Sequence, residues 1–320
     1  HNQESTLPIW SVHDHDLWEA QLSNIGCVVE SSNSEEIEIE VFPDRADLLS
    51  VETMTRAARS FLHQQPQAPI LEVKNGEMTM EVESDIANIR PVILAAAVRG
   101  VDTGSNTEER DAFIQSLMDH QEKLHLTLGR RRRLASIGVH DLNSLAPPFK
   151  VRSVGREHRF VPLAMDEAMS IDEILESHPK GMEYAHLLEG MESVPVIEDA
   201  VGRVLSFPPI INGSHTTVVE STTDFLIDVT GWDPRACEAS LLLICLALHE
   251  RGGIVESVQM TSASGQVFQS PEGSARRHHL PAELLERILG GKIESSRISS
   301  ALERMGGRLV ESRTATEGPR

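Results

Sequence analysis

The stretch Leu205-Ser206-Phe207-Pro208-Pro209-Ile210-Ile211-Asn212-Gly213 forbids a helix through one of the most apolar segments of the chain. Consecutive prolines remove backbone donors and fix φ, so the run must be extended or turning. Asn212-Gly213 closes it with a strong turn dipeptide. Beyond it, Asp224-Phe225-Leu226-Ile227-Asp228-Val229-Thr230-Gly231 is β-branched and aromatic, the signature of a strand. Alternation places Leu226, Asp228 and Thr230 on one face, and Phe225, Ile227 and Val229 on the other. A carboxylate and a hydroxyl on one face, beside a rigid Pro-Pro bend carrying Ser206, would wall a small polar pocket. Asp228 and Thr230 are equally readable as turn chemistry before Gly231. The residues alone leave both readings open.

At 320 residues the chain suits two or three domains. No apolar run reaches the ~20 residues of a membrane span. The longest, Leu241 to Leu248, has the length of a core helix. Cys27, Cys237 and Cys245 are far apart or within one expected helix, so they form neither a metal cluster nor a disulfide framework. That pattern is expected of a cytoplasmic protein. The formal charge of −20 argues against general nucleic-acid affinity while allowing local basic patches. The start, His1-Asn2-Gln3-Glu4, has neither an initiator Met nor a signal pattern, and reads as that of a trimmed or partial product.

Taken in order, residues 11–30 carry near-helical apolar spacing ending at Gly26, and Glu36 to Val41 alternates as a strand. A helix running to about Leu62 follows, capped by Asp47 or Ser50. Ile70 to Val82 reads as a hairpin turning at Asn75-Gly76. Val92 to Val101 is a buried-strand candidate, after which Thr107 caps a long amphipathic helix that Gly129 ends. Arg130, Arg131, Arg132 and Arg133 follow at once. They could complement the helix dipole or contact a phosphate backbone. Ser170-Ile171-Asp172-Glu173 is a capping box. Asp233-Pro234 starts a nearly all-apolar helix that ends at Gly252-Gly253. From Pro281 a helix–turn–helix with a strand starting at Gly306 suggests a winged-helix-like module. Phosphate loops, dinucleotide fingerprints and nucleophile elbows are absent. His13-Asp14-His15-Asp16 lacks metal-ligand spacing and reads as an acidic turn.

At Ser206 to Asn212 and Phe225 to Gly231 the chain resembles the β subunit of phenylalanyl-tRNA synthetase, of the archaeal/eukaryotic type. Further matches follow in the family's order: Asp44 to Glu52, Gln121 to Arg133, Ile137-Gly138-Val139-His140-Asp141, His178-Pro179-Lys180-Gly181-Met182-Glu183-Tyr184-Ala185-His186 and Glu250-Arg251-Gly252-Gly253. Where the family commonly has Arg-Pro-Asp, this chain has Arg45-Ala46-Asp47, which loosens that turn.

The resemblance implies an α+β, multidomain chain. It has a B1-like N-terminal domain over 1–88, a central three-layer α/β B3/B4 domain of tRNA-editing type over 89–272, and the start of a B5-like domain over 273–320. Small winged-helix-like modules flank the centre. The implied function is hydrolysis of tyrosine wrongly attached to tRNA(Phe), in support of phenylalanine attachment. Catalytic positions fall on Ser206, Asp228 and Thr230, and substrate-binding positions on Ile197, Pro208, Pro209, Asn212 and Gly231. Arg130 to Arg133 become tRNA contacts. ATP and Mg²⁺ serve the family's whole enzyme, with metal ligands beyond Arg320, so no metal residue is assigned here. The implied partners are tRNA(Phe) and the α subunit of an α2β2 heterotetramer. The alternative is a non-catalytic module of related fold that binds tRNA or a free amino acid.

Overall fold

Strand pairing organises most of the chain. The computed structural model describes residues 19, 21–33, 36–61 and 71–310. It begins with β1 (Cys27–Ser32), β2 (Ile37–Val41), α1 (Val51–Phe61), β3 (Val73–Val82), β4 (Val92–Arg99), α2 (Thr107–Leu126), β5 (Ala135–Asp141) and β6 (Phe149–Gly155). Next come β7 (Arg159–Phe160), β8 (Met169–Ser170), α3 (Ile171–Ser177), α4 (Pro179–Tyr184), β9 (Ser193–Glu198), β10 (Val204–Phe207) and β11 (Ile211–Asn212). The chain continues through β12 (Phe225–Gly231), α5 (Pro234–Glu250), β13 (Ile254–Thr261), β14 (Val267–Ser270), α6 (Ala282–Leu289) and α7 (Ser295–Arg304). The fold is mixed α+β, and it divides into two compact units. One is drawn from His1–Leu49, Met54–Pro69 and Arg276–Arg320, the other from Ser50–Thr53 and Ile70–Ala275.

In the first unit β1 and β2 pair antiparallel, and Leu22, Ile25 and Cys27 form a small core. Gly26, at φ 92°, turns the chain into β1. The N- and C-terminal segments share this unit: Arg304 of α7 lies 4.4 Å above the Phe61 ring and donates through Nε to Phe61 O at 2.8 Å. The helix–turn–helix expected after Pro281 is present as α6 and α7. The strand expected from Gly306 is not formed among the described residues, where 307–310 is irregular. Of the helix expected to end at Gly26, residues 11–18 and 20 lie outside the described residues, as does the His13–Asp16 run.

The larger unit is built on a ten-stranded sheet in the order β11-β10-β9-β6-β3-β13-β4-β12-β5, with β14 paired to β13. Its two ends meet: Asn212 Nδ2 on β11 donates to Val139 O on β5 at 3.3 Å, so the sheet curls until it is nearly closed. The hairpin expected at Asn75-Gly76 is instead one continuous strand. Met78, Met80 and Val82 alternate into the core, and β3 pairs in parallel with β13 and β6. Residues 73–82 therefore lie inside the large sheet and not in the N-terminal domain expected over 1–88.

Inside the curl, Met80, Ala95, Ala97, Ile197, Leu226 and Val258 belong to one buried cluster. Outside it, Cys237, Leu241, Ile244 and Leu248 make the buried stripe of α5, spaced as one helix face requires. β12 is thus buried on both faces, which is why it reads as an almost continuous apolar run. Local signals hold where caps are concerned. Asp233 accepts from Ala236 N at 2.7 Å, and Ser170 with Glu173 forms the capping box. Ser50 caps α1 by accepting from Thr53 N at 3.2 Å. The cap of α2 is Asn106, one residue before the expected Thr107, accepting from Glu109 N at 3.0 Å.

Candidate functional site

β12 lies between β4 and β5, with Asp228 opposite Ala95 on one side and Gly138 on the other. Leu226 shares its face and joins the interior cluster, so Asp228 and Thr230 also turn into the curl. The position opposite Asp228 must lack a side chain. A Cβ on Gly138 would collide with Asp228 Oδ2 and stand 2.7 Å from His140 Nε2. His140 lies two residues further along β5 on the same face, and its Nε2 is 2.7 Å from Asp228 Oδ2. Its Nδ1 is 2.9 Å from Thr216 Oγ1, and that hydroxyl is 3.0 Å from Gly213 O.

Both ring nitrogens face a polar partner, and with the proton on Nε2 His140 clamps the carboxylate while Nδ1 meets the Thr216 hydroxyl. The chain Asp228–His140–Thr216 crosses the seam where β5 and β11 meet and is buried throughout. No described residue bonds Asp228 Oδ1, which leaves one carboxylate oxygen for another partner.

Thr230 has a different surrounding. The guanidinium of Arg90 donates through Nε to its hydroxyl at 2.6 Å and through Nη2 to its carbonyl at 2.9 Å. Nη2 also reaches Ser136 Oγ and Arg132 O, each at 3.1 Å. Ser136 Oγ is 3.0 Å from Thr230 Oγ1. Burial pulls the Arg90 pKa down to about 10, which still leaves a cation at neutral pH. A buried cation needs this many acceptors, and Thr230 supplies two of them. Its hydroxyl is committed to holding Arg90.

Across the seam, Ser206 on β10 stands opposite Ile197 on β9 and opposite Asn212 on β11. Ser206 and Ile197 are both buried. The Ser206 hydroxyl makes no hydrogen bond with another described residue. The Asn212 side chain is spent on closing the sheet. The Pro208–Pro209 corner is braced by Arg132, whose Nη1 donates to Pro209 O at 3.3 Å and to Ile210 O at 2.9 Å. Its Nη2 meets Glu122 Oε1 at 2.6 Å, and its guanidinium lies 4.3 Å above the Tyr184 ring. The hydrogen bond from His125, with the Arg132 charge beside it, lowers the Glu122 pKa to about 2 against the opposing effect of burial.

Sequence reasoning grouped residues that the structure separates. Asp228, Ser206 and Ile197 flank the seam inside the large unit. Gly231 is a packing position, because a Cβ there would collide with Leu134 O and stand 2.6 Å from Cys237 Sγ. Of the four arginines, Arg132 is buried and internal, a correction to its grouping as a surface contact. Arg130, Arg131 and Arg133 line an open cleft of about 680 Å³ with Leu134, His186, Leu187 and Trp232. A second cleft, about 820 Å³, is lined by β3, Leu142, Pro147 and Glu256 among others. Neither cleft is lined by Ser206, Asp228 or Thr230.

Sequence reasoning missed His140, Thr216 and Arg90. The alternation of Ser136, Gly138 and His140 along an otherwise apolar strand was the available signal for the first. Among the described residues no group of three or more His, Cys, Asp or Glu could hold a metal ion. No described helix is long and apolar enough to cross a membrane.

A family model described as the B3/4 domain matches residues 92–245. The chain is 43% identical over 281 residues to the phenylalanine–tRNA ligase beta subunit of Methanococcoides burtonii, covering 88% of this chain and 51% of that protein. It is 40% identical over 309 residues to the corresponding subunit of Methanosarcina acetivorans, covering 93% of this chain and 55% of that one. The chain thus spans about half the length of the curated relatives it matches. Among solved structures, an N-terminal fragment of the phenylalanyl-tRNA synthetase β-subunit from Pyrococcus horikoshii superposes with a TM-score of 0.86 at 30% identity. That match covers 94% of this chain and 86% of the other.

Proposed function

Because the chain belongs to the phenylalanine–tRNA ligase β-subunit family, we propose that its large unit hydrolyses tyrosine wrongly attached to tRNA(Phe). An apolar pocket shaped for phenylalanine cannot strongly reject the same ring with one added hydroxyl, so a second site must read that hydroxyl. The observation that carries this reading is a pair of polar groups at the seam with unused bonding capacity. They are the Ser206 hydroxyl and Asp228 Oδ1, the latter on a carboxylate clamped by His140 and Thr216. Neither atom is among the fully buried polar atoms left without a partner, so each stays open to a ligand or water.

In this reading, Asp228 and Ser206 take the polar end of the tyrosyl group, and Ile197 supplies the apolar wall. Water adds to the ester carbonyl, and the bond to the ribose oxygen breaks. Free tyrosine and an uncharged tRNA leave. Arg90 and Thr230 hold the strand rather than the substrate. Attachment of phenylalanine, with its ATP and Mg²⁺, is assigned to the whole enzyme with an α-subunit partner in an α2β2 assembly. The described residues offer no fitting cluster for the metal, and no step here passes through it.

The test is deacylation of Tyr-tRNA(Phe) by Ser206→Ala and Asp228→Ala, each checked by melting. A loss of at least about tenfold, or ~1.4 kcal/mol in transition-state stabilisation, is expected in each variant. Wild-type rates in both would sink the proposal, and tRNA binding without turnover in the unmodified chain would make it a binding module.

A further inference from the structure

One edge of β3 has no partner strand from Val73 to Thr79 among the described residues. On its paired side, β3 meets β13 as far as Asn75, opposite Ser257, and again from Thr79, opposite Gln259. Gly76, Glu77 and Met78 stand against Val258 alone, a bulge that leaves these three without a ladder partner on either side. Gly76 makes the bulge possible, because a Cβ there would collide with Ser257 O. On the open side β6 joins β3 only from Met80, opposite Phe149. Pro147 and Pro148 precede that pair, and a proline has no amide hydrogen with which to extend the ladder.

The open edge lines the cleft of about 820 Å³, to which it gives all five residues from Asn75 to Thr79. Residues from the 142–148 segment line it too, and no backbone hydrogen bond joins that segment to residues 75–79. Met78, Leu142 and Leu145 belong to the interior cluster or pack on it, so the cleft has an apolar lining. Its charge is acidic. Arg99 is offset by two carboxylates, with Nε 2.9 Å from Glu256 Oε2 and Nη1 3.3 Å from Asp224 Oδ2. Glu77 is exposed and makes no ion pair or side-chain hydrogen bond among the described residues.

Backbone donors and acceptors along an open strand edge are a template for another strand. We propose that this cleft receives an extended, basic segment of a partner protein, which adds to β3 beside residues 75–79. It sets a basic side chain against Glu77 and an apolar one against Met78 and Leu145. A strand fits better than a compact ligand, because the open backbone runs along five consecutive residues. A second copy fits poorly: each chain carries a formal charge of −20, so Glu77 guards the edge against its own kind and admits a basic partner.

The test uses the full chain and a fluorescein-labelled peptide of about seven residues, alternating lysine and valine, followed by anisotropy and amide hydrogen exchange. Binding at low salt, with exchange slowed at residues 75–79, is expected. Two further peptides carry N-methyl groups on alternate residues, one on each set. Methylation of the set that faces β3 should weaken binding at least about tenfold by removing strand bonds, and of the other set less than about twofold. Glu77→Lys, checked by melting, should weaken binding roughly 2- to 10-fold at low salt, an effect that fades as salt rises. Absence of binding at low salt, equal binding by the two methylated peptides, wild-type affinity in Glu77→Lys, or protection only elsewhere in the chain overturns the proposal. So does a dimer in sedimentation velocity that Glu77→Lys abolishes, since a second copy would then hold the edge.

Discussion

Replacing Gly138 with alanine tests how Asp228 is held. The added methyl would overlap Asp228 Oδ2 and stand 2.7 Å from His140 Nε2 and 2.9 Å from Asp228 Cγ. Neither neighbour is the loose end of a surface side chain, since both are buried in the curl. The carboxylate must rotate away and give up its 2.7 Å bond to His140. Losing a buried hydrogen bond to a charged group costs about 1.5–3 kcal/mol, and forcing a methyl into a packed interior costs about 1–3 kcal/mol more. The sum, roughly 2.5–6 kcal/mol, corresponds to a fall in Tm on the order of 10 °C for a unit of this size. Melts of Gly138→Ala, Asp228→Ala and the double variant form a cycle. With the carboxylate gone the methyl has room, so its cost should shrink to about 1 kcal/mol and the coupling should exceed about 2 kcal/mol. A Tm within a degree of wild type, or an equal loss in both backgrounds, would refute the packing argument.

Three further outcomes are expected. His120 is buried with neither ring nitrogen bonded, and burial lowers its pKa to about 4. The unfolded imidazole protonates near 6.5, so its contribution to stability is complete above that pH and is lost as pH falls toward 4, by roughly 3 kcal/mol. His120→Leu should remove that slope from melting temperatures measured over the window, and an unaltered slope would contradict it. Arg132→Met should lower stability by about 2–4 kcal/mol in urea titrations, since the Pro209 and Ile210 carbonyls lose their donor. Arg132→Lys should recover little, because an ammonium cannot span carbonyls and carboxylate together. Burial pushes the Cys237 and Cys245 thiols up to about 12. Iodoacetamide at pH 8 should therefore modify neither until the chain is unfolded, as mass spectrometry would show.

The sequence by itself determined what is local. Residues 225–231 alternate as a strand, Asp228 and Thr230 share its face, and Asp233 and Ser170 cap the helices that follow them. These follow from backbone geometry within a few residues, which needs no distant partner. The ordered motifs also identified the family, because many weak local matches in one order are jointly specific.

Tertiary pairing decided the rest. The Asn75-Gly76 turn signal lost to parallel pairing of β3 with β13 and β6. The four arginines looked alike until a left-handed turn sent Arg132 inward and left the others at the surface. Asp228 acquired its clamp from His140, 88 residues away, and Thr230 acquired Arg90 from 140 residues away. Alternation along a strand specifies which face a side chain occupies. Which strands flank it, and what closes across the seam, is settled only when the sheet curls and its ends meet.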